Sequence, residues 1–372
     1  MTAQKPPTTS AAKNAPPLDT ILRGDCLKIL PNLPAGCADL IIADPPYNIG
    51  YEYDRYHDSL AHDDYLAWTE QWMQACKHVL SPSGSLYIAI GDDYAAEVRI
   101  IGRQLDLTLR NWIIWHYTFG QNTKKKFARS HIHIFYFVAH EKNFTFNDDL
   151  VRVLSDRQKQ YADRRANPAG KIPDDTWVAF PRICGTFNER ADGPNQLPEA
   201  LVARIIRASS NPADLVLDPF CGSGTTAAVA AQLDRHYITI DISAEYLRHA
   251  KRRVKNTLKS NGQLKLPPLS GLQLTELVRL YQENEIPTEL LLQKPQFIKL
   301  FTGQLNRRLA KCSTEPIDRP LKPKDIAGAL QTLANKNLLP VLRTDTPSLK
   351  SRKPRSKYQR SRCKVPPSLF ES

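Results

Sequence analysis

Leu215-Val216-Leu217-Asp218-Pro219-Phe220-Cys221-Gly222-Ser223-Gly224-Thr225-Thr226 is the stretch that decides the fold. Three apolar residues closed by an acid read as a buried strand, and the glycine-rich turn behind it opens the helical run Thr225–Leu233. Glycines let backbone approach a ligand closely, while a helix N-terminus offers free N–H groups and the positive end of a dipole. The next strand, Tyr237–Ile240, leads into Asp241, where a carboxylate can take both hydroxyls of a ribose. No G-K-[ST] follows the glycines, so this is not a phosphate-binding P-loop. A glycine turn alone would be an ordinary structural turn; the strand, turn, helix, strand and acid in succession point to a nucleoside-like ligand.

Working outward, helical spacing covers Pro198–Ser209 before the turn and Ser243–Lys255 after it. Nearer the N-terminus, the run Ala38–Ala43 is stopped by Asp44-Pro45-Pro46 and reads as a central strand with a loop at its carboxyl end. A helix over Asp63–Leu80 closes on Ser81-Pro82-Ser83-Gly84, and a strand over Leu86–Ile90, a helix near Tyr94–Leu105 and strands near Leu109–Tyr117 and Ile132–Ala139 follow. This alternation implies an α/β domain with a mainly parallel sheet flanked by helices. Residues 144–195, rich in Asp, Arg, Asn, Pro and Gly, break the rhythm and read as an insertion rather than sheet scaffold.

Asp44-Pro45-Pro46-Tyr47 is the second chemical signal. Prolines stiffen the loop so that a carboxylate and a peptide carbonyl can converge on one amino group, each accepting an N–H. Tyr47 supplies a flat face on which a base can stack. By itself, the four-residue pattern could equally be a rigid turn.

Together the two motifs resemble the amino-methyltransferases of DNA, in which a D-P-P-[YF] loop holds the target amine and an F-x-G-x-G loop holds S-adenosylmethionine. The catalytic loop precedes the cofactor loop, an order similar to the β group of that family. Arg23-Gly24-Asp25-Cys26, Leu80-Ser81-Pro82-Ser83-Gly84 and Gln196-Leu197-Pro198-Glu199-Ala200-Leu201 also match the group, so the resemblance spans about residues 20–256. It implies a Rossmann-like S-adenosylmethionine-dependent methyltransferase fold with a small, mostly helical C-terminal region and a basic tail. It further implies that Asp218, Pro219, Phe220, Cys221, Gly222, Ser223, Gly224, Thr225 and Thr226 border the methionine part of the cofactor. Asp241 would meet the ribose, and Asp25 with Cys26 the adenine ring. Asp44 and the Pro45 carbonyl would bind the target amine, Asp44 also being a cofactor-binding residue, with Pro46 shaping the loop and Tyr47 stacked on the flipped base. Cys221 stands where the family often has Ala or Gly, and Asp241 where Glu is commoner. D-P-P-Y is more typical of N6-adenine enzymes and S-P-P-[YF] of N4-cytosine ones, so the resemblance implies adenine and leaves cytosine as the alternative. RNA, protein-glutamine and small-molecule methyltransferases would be expected to carry the two motifs in the opposite order. A non-catalytic DNA-binding protein would not need Asp44, Tyr47 and Asp218 intact.

This chemistry asks for no metal, and no cluster of metal-ligand spacing is evident in the sequence. Duplex DNA as the partner is also suggested by charge. The 372 residues carry a formal net charge of +13. Residues 1–256 hold 30 Lys and Arg against 29 Asp and Glu, whereas 257–372 hold 21 against 9, so the excess belongs to the C-terminal third. Local basic residues are candidates for DNA contact: Lys124, Lys125, Lys126 and Arg129 in one loop, and Arg152, Arg157, Lys159, Arg164, Arg165 and Lys171 in the insertion, the expected site of target recognition. His131 and His133, alternating with apolar residues, read as structural.

The seven cysteines are scattered without a C-x-x-C pair, which favours a reducing compartment over a disulfide framework. No apolar run approaches a membrane span, and Met1–Asp19 has no apolar signal core. The expected organisation is a disordered leader at 1–19, a catalytic domain at 20–256, a helical region at 257–346 and a disordered basic tail at 347–372, in a cytoplasmic protein drawn to the nucleoid through DNA. Short helices are expected at 273–283, 288–311 and 324–337. A homodimer and a cognate restriction endonuclease are partners the sequence leaves open.

Overall fold

Apolar runs too continuous for a half-exposed strand find their explanation in a sheet covered on both faces. The computed structural model describes residues 15–117, 123–161, 165–183, 196–263, 269–312, 319–340 and 342. Among them the strands β1 (Thr20–Arg23), β2 (Ala38–Ala43), β3 (Leu80–Ile90), β4 (Thr108–His116), β5 (His131–Val138), β6 (Thr176–Trp177), β7 (Leu215–Asp218) and β8 (His236–Asp241) form one sheet in the order β1-β8-β7-β2-β3-β5-β4-β6. Every neighbouring pair is parallel except those made by β5, which runs antiparallel between β3 and β4.

The helices are α1 (Cys26–Ile29), α2 (His62–Val79), α3 (Ala95–Gln104), α4 (Asp148–Val151), α5 (Asp156–Tyr161), α6 (Glu199–Ser209), α7 (Thr225–Gln232), α8 (Ala244–Gln263), α9 (Gly271–Asn284), α10 (Thr288–Gln293), α11 (Pro295–Cys312) and α12 (Pro323–Asn335). Side chains alternate along β3: Leu86, Ile88 and Ile90 meet Trp72 and Met73 of α2, whereas Tyr87 and Ala89 enter the core shared with Leu201 and Ile205 of α6. Both faces are therefore buried, as parallel sheets require.

The expected α/β architecture is present, with four local differences. β1 was not legible, because Thr-Ile-Leu-Arg is short and only half-buried against β8. β3 begins at Leu80, and Ser81–Gly84, expected as a connecting loop, bulges out where the register jumps from Ala38↔Leu80 to Leu40↔Ser85. The helix expected over 288–311 is two, because Pro295 lacks the N–H that would continue α10 into α11. The insertion, read as lying outside the sheet scaffold, contributes β6, which pairs with β4 at the edge. Of the leader, residues 15–19 are described, and Asp19 bonds to His236 at 2.9 Å; residues 1–14 and the basic tail lie outside the described residues.

The C-terminal helices have their own apolar core, which also takes Leu154 from the insertion. They dock on α6 through a buried ionic cluster. Arg207 meets Glu276 at 2.8 Å and Glu283 at 2.6 Å, Arg204 and Arg308 each meet Glu283 at 3.0 Å, and Arg279 meets Glu276 at 2.9 Å. The guanidinium groups hold both carboxyls below the usual carboxylate range despite burial. Each buried charge of the cluster thus has an opposite charge in hydrogen-bond contact, as buried ions require.

Candidate active site

Sheet register puts the two motif loops side by side. β2 and β7 are adjacent and parallel, with Leu40 opposite Val216 and Ile41 opposite Leu217, so the chain leaves both strands at one carboxyl edge. That edge lies where the chain turns outward in both directions, the position at which open α/β sheets bind ligands. A cavity of about 330 Å³ opens there, walled by the D-P-P-Y loop on one side and the glycine turn on the other.

The glycine turn is shaped by backbone more than by side chains. Gly222 (φ +49°) and Gly224 (φ +76°) adopt left-handed conformations that a side chain would strain. Gly222 borders the cavity; Gly224 does not, and a Cβ there would lie 2.5 Å from Ala250 Cβ of α8, so it serves helix packing. Phe220, which borders the cavity, turns its ring edge-on to Trp72, 5.3 Å between centroids. Asp241 accepts Gly222 N–H at 2.9 Å and Ser243 N–H at 2.8 Å, so the carboxylate that ends β8 also braces the turn. Asp25 caps α1 by accepting Leu27 N–H at 2.9 Å, and the buried Cys26 thiol beside it is pushed up to about 12, which keeps it protonated.

On the opposite wall, Asp44 is half-buried and accepts the Tyr47 hydroxyl at 2.7 Å. Burial pushes its carboxyl up to about 7; the Tyr47 hydrogen bond opposes this, and nearby Asp218 adds to it. Asp218, buried at the end of β7, is pushed up to about 6, chiefly by burial. Asp25, Asp44, Asp218 and Asp241 thus converge on one cavity, where Arg55 is the one lining cation among the described residues. The Pro46 carbonyl accepts the Tyr65 hydroxyl at 2.7 Å, fixing the loop from behind, and among the described residues nothing donates to the Pro45 carbonyl. The segment after Tyr47 is clamped by buried Asp58, which accepts the N–H groups of Asn48, Ile49 and Tyr51 at 2.7, 3.1 and 3.0 Å.

Of the residues the resemblance marked, all but Gly224 border this cavity. Sequence reasoning missed Tyr53, Tyr56 and Trp68, which complete an aromatic wall beyond Tyr47, and Ser243 and Tyr246 beyond Asp241. The run Tyr51-Glu52-Tyr53-Asp54-Arg55-Tyr56 was a usable signal, three aromatics immediately behind a proline-fixed loop.

Basic residues fare differently. Lys124, Lys125 and Lys126 are exposed, whereas Arg129 is committed to Asp92 at 2.7 Å and Asp93 at 3.1 Å. Arg157 and Arg165 are exposed, and Arg164 lies outside the described residues. Arg152 binds Asp148 and the Gly170 carbonyl, Lys171 meets Asp174 at 2.8 Å, and Lys159 donates to the Asn284 carbonyl at 2.5 Å. Those three cations, grouped with DNA contacts in the sequence reading, hold the insertion together and onto α9.

Asp92, His131 and His133 are the described residues close enough together to hold a metal ion, and their hydrogen bonds give them another occupation. His133 Nδ1 accepts Trp112 Nε1–H at 2.9 Å, so Nε2 carries the proton and donates to Asp92 at 3.1 Å. With Arg129 on the other carboxylate oxygen, no imidazole lone pair of His133 faces the cluster.

A mainly parallel sheet with an antiparallel strand between two of its members, and a glycine turn beside a D-P-P-Y loop at its carboxyl edge, define a Rossmann-like domain of the methyltransferase type. Residues 38–252 match the family described as DNA methylase, and the chain belongs to that family. It is 39% identical over 235 residues to the type II methyltransferase M.HpaI of Haemophilus parainfluenzae, covering 63% of this chain and 73% of that protein. Over 243 residues it is 39% identical to the DNA adenine methyltransferase YhdJ of Escherichia coli K12, covering 63% and 82%. Among solved structures, the PvuII DNA methyltransferase, cytosine-N4-specific, shares the fold with a TM-score of 0.51 at 18% identity, covering 71% of this chain and 92% of that one. Among the described residues no helix is long and apolar enough to cross a membrane.

Proposed function

We propose that this DNA methylase transfers a methyl group from S-adenosylmethionine to the N6 amine of adenine in duplex DNA. The observation that carries the reading is the convergence of Asp44 with the Gly222 turn, Asp218 and Asp241 on one cavity. The cavity suits the cofactor: a glycine turn backs it, Asp241 stands where a ribose carboxylate partner belongs, and an excess of carboxylates suits a sulfonium and an ammonium. Asp218 and the turn through Thr226 would hold the methionine end, Asp241 the ribose, and Asp25 with Cys26 the adenine ring. When bound, S-adenosylmethionine supplies an electrophilic methyl group.

The chain's own residues deal with the acceptor. An exocyclic amine is a poor nucleophile because its lone pair is delocalised into the ring. Asp44 and the Pro45 carbonyl each accept one of its N–H groups, turning the lone pair out of the ring plane and relieving positive charge as the bond forms. Tyr47 holds the base flat, and Tyr53, Tyr56 and Trp68 keep water from the amine. As the N–C bond forms the S–C bond would break and the sulfur leave as a neutral thioether. The methylated amine is then acidic enough to give its extra proton to Asp44 or to water, so Asp44 need only be ionised and placed and need not be a strong base.

Adenine is favoured by Asp44 as the first residue of D-P-P-Y and by the likeness to YhdJ, named as an adenine enzyme. DNA as substrate also sets the working place, beside the chromosome. The type II name of M.HpaI supports a restriction–modification setting, in which an endonuclease would cut the same site when unmethylated. Expression in a methylation-deficient bacterium, followed by sequencing that reads modified bases directly, tests the reading and yields base, position and recognition site together. N6-methyladenine at one recurring motif is expected; an unmodified genome would refute the proposal.

A further inference from the structure

The loop Lys124-Lys125-Lys126-Phe127-Ala128-Arg129 presents an aromatic ring to water beside the target-base wall. Lys124 to Ala128 are all exposed, and Phe127 is 100% exposed, the extreme among large apolar side chains of the described residues. Single exposed apolar residues are commonplace, but this one directly follows three exposed lysines. The Thr123 hydroxyl donates to the Lys126 carbonyl, and Arg129 is fixed to Asp92 and Asp93. Gly91, just before that acid pair, is where Tyr47 and Arg129 come together: a Cβ built there would lie 3.4 Å from the Tyr47 ring and 4.0 Å from the Arg129 guanidinium. Only Ala128 separates Phe127 from Arg129, so the Phe127 Cα lies within about 7 Å of the Cα of the residue whose guanidinium flanks the base-stacking tyrosine.

We propose that Phe127 is a wedge that enters the duplex and fills the place left when the target base turns out toward Tyr47. The inference rests on the reading that the enzyme methylates a base within duplex DNA. An apolar ring inserted between base steps gains the stacking that the extruded base loses, and the lysines on its N-terminal side meet the phosphates that flank the opening. Phe127 touches neither the cofactor cavity nor the reacting amine; it is a positioning residue.

The test compares the wild-type chain with Phe127→Ala and Phe127→Leu in single-turnover methylation of a duplex carrying the wild-type site. A second duplex places the target base opposite an abasic position, so that extrusion no longer breaks a pair. Phe127→Ala is expected to slow methylation of the paired duplex about tenfold or more and to come within about threefold of wild type on the abasic duplex, with cofactor affinity unchanged. Phe127→Leu should retain most of the wild-type rate, because an apolar wedge of another shape still fills the gap. An alanine variant as fast as wild type on the paired duplex, or equally slow on both, overturns the wedge. Failure of the wild-type chain itself to methylate either duplex would instead strike the DNA-methylation reading on which the wedge depends.

Discussion

The Tyr47 hydroxyl donates to Asp44 Oδ1 at 2.7 Å, so the aromatic residue assigned to the base also holds the carboxylate assigned to the amine. Burial drives the Asp44 carboxyl up to about 7, and this bond is the main influence opposing it. In Tyr47→Phe the stacking ring remains and the donor is lost, so Asp44 should ionise at higher pH. The acid limb of kcat/KM is predicted to fall near pH 7 in wild type and to move upward in Tyr47→Phe. An unmoved limb would mean that Asp44 does not govern the profile.

Asp44 follows β2, two strands away from Asp241 at the end of β8, and its carboxylate accepts the Tyr47 hydroxyl of its own loop. Asp44→Ala should therefore keep cofactor affinity within a few-fold while lowering turnover by about 10²–10³, the scale of losing one preorganised partner of the reacting group. Calorimetry with S-adenosylmethionine alongside single-turnover rates checks both halves. Abolished cofactor binding would sink this division of roles.

Asp44 and Asp218 both titrate above the ordinary value of 3.8, at about 7 and about 6. Their neutral forms favour the fold, so the contribution is present below about pH 4 and is lost as pH rises through 6 to 7. Asp218→Asn should make the cofactor-free protein less sensitive to that rise, by up to a few kcal/mol at pH 8 relative to wild type. A cationic ligand favours the ionised pair, so S-adenosylmethionine affinity of the wild type should strengthen between pH 5.5 and 8. Thermal melts and titrations across that range test the two signs, and an affinity independent of pH would contradict the account.

Much of this was legible in the sequence, for reasons that particular residues make clear. Ala38–Ala43 and Leu215–Leu217 are apolar runs ended by an acid or proline, and their periodicity and punctuation placed both motif loops at strand ends. What joins them was not legible: the adjacency of β2 and β7 comes from pairing across some 175 residues of chain. Charge was the least readable property. Lys159 and Arg157 look alike in sequence, yet Lys159 donates to α9 whereas Arg157 is exposed, and only packing separates them. Likewise, Arg204 and Arg207 interrupt an apolar helix with no local hint of Glu276 and Glu283, about 70 residues on.

Those glutamates supply a prediction for the C-terminal helices. Glu283 accepts from Arg204, Arg207 and Arg308 with no exposure of its side chain. Glu283→Ala leaves Arg204 and Arg308 without a carboxylate and Arg207 with Glu276 alone, and should destabilise the protein by about 3–5 kcal/mol. Because Gln282 donates to the Ala179 carbonyl at 2.9 Å and Asn284 accepts Leu154 N–H at 2.7 Å, the same change should loosen the insertion. Hydrogen exchange at Leu154 and over 165–183 should quicken in the folded variant; unchanged protection there would show the insertion to be held by other means.

The central claim, methyl transfer to the N6 amine of adenine in DNA, is tested most directly by nucleoside mass spectrometry. Unmethylated duplex DNA is incubated with the purified chain and S-adenosylmethionine, beside an Asp44→Ala control, and digested to nucleosides. N6-methyldeoxyadenosine formed by the wild type and absent from the control is the predicted result. N4-methyldeoxycytidine in its place, or DNA left unmodified, would contradict it.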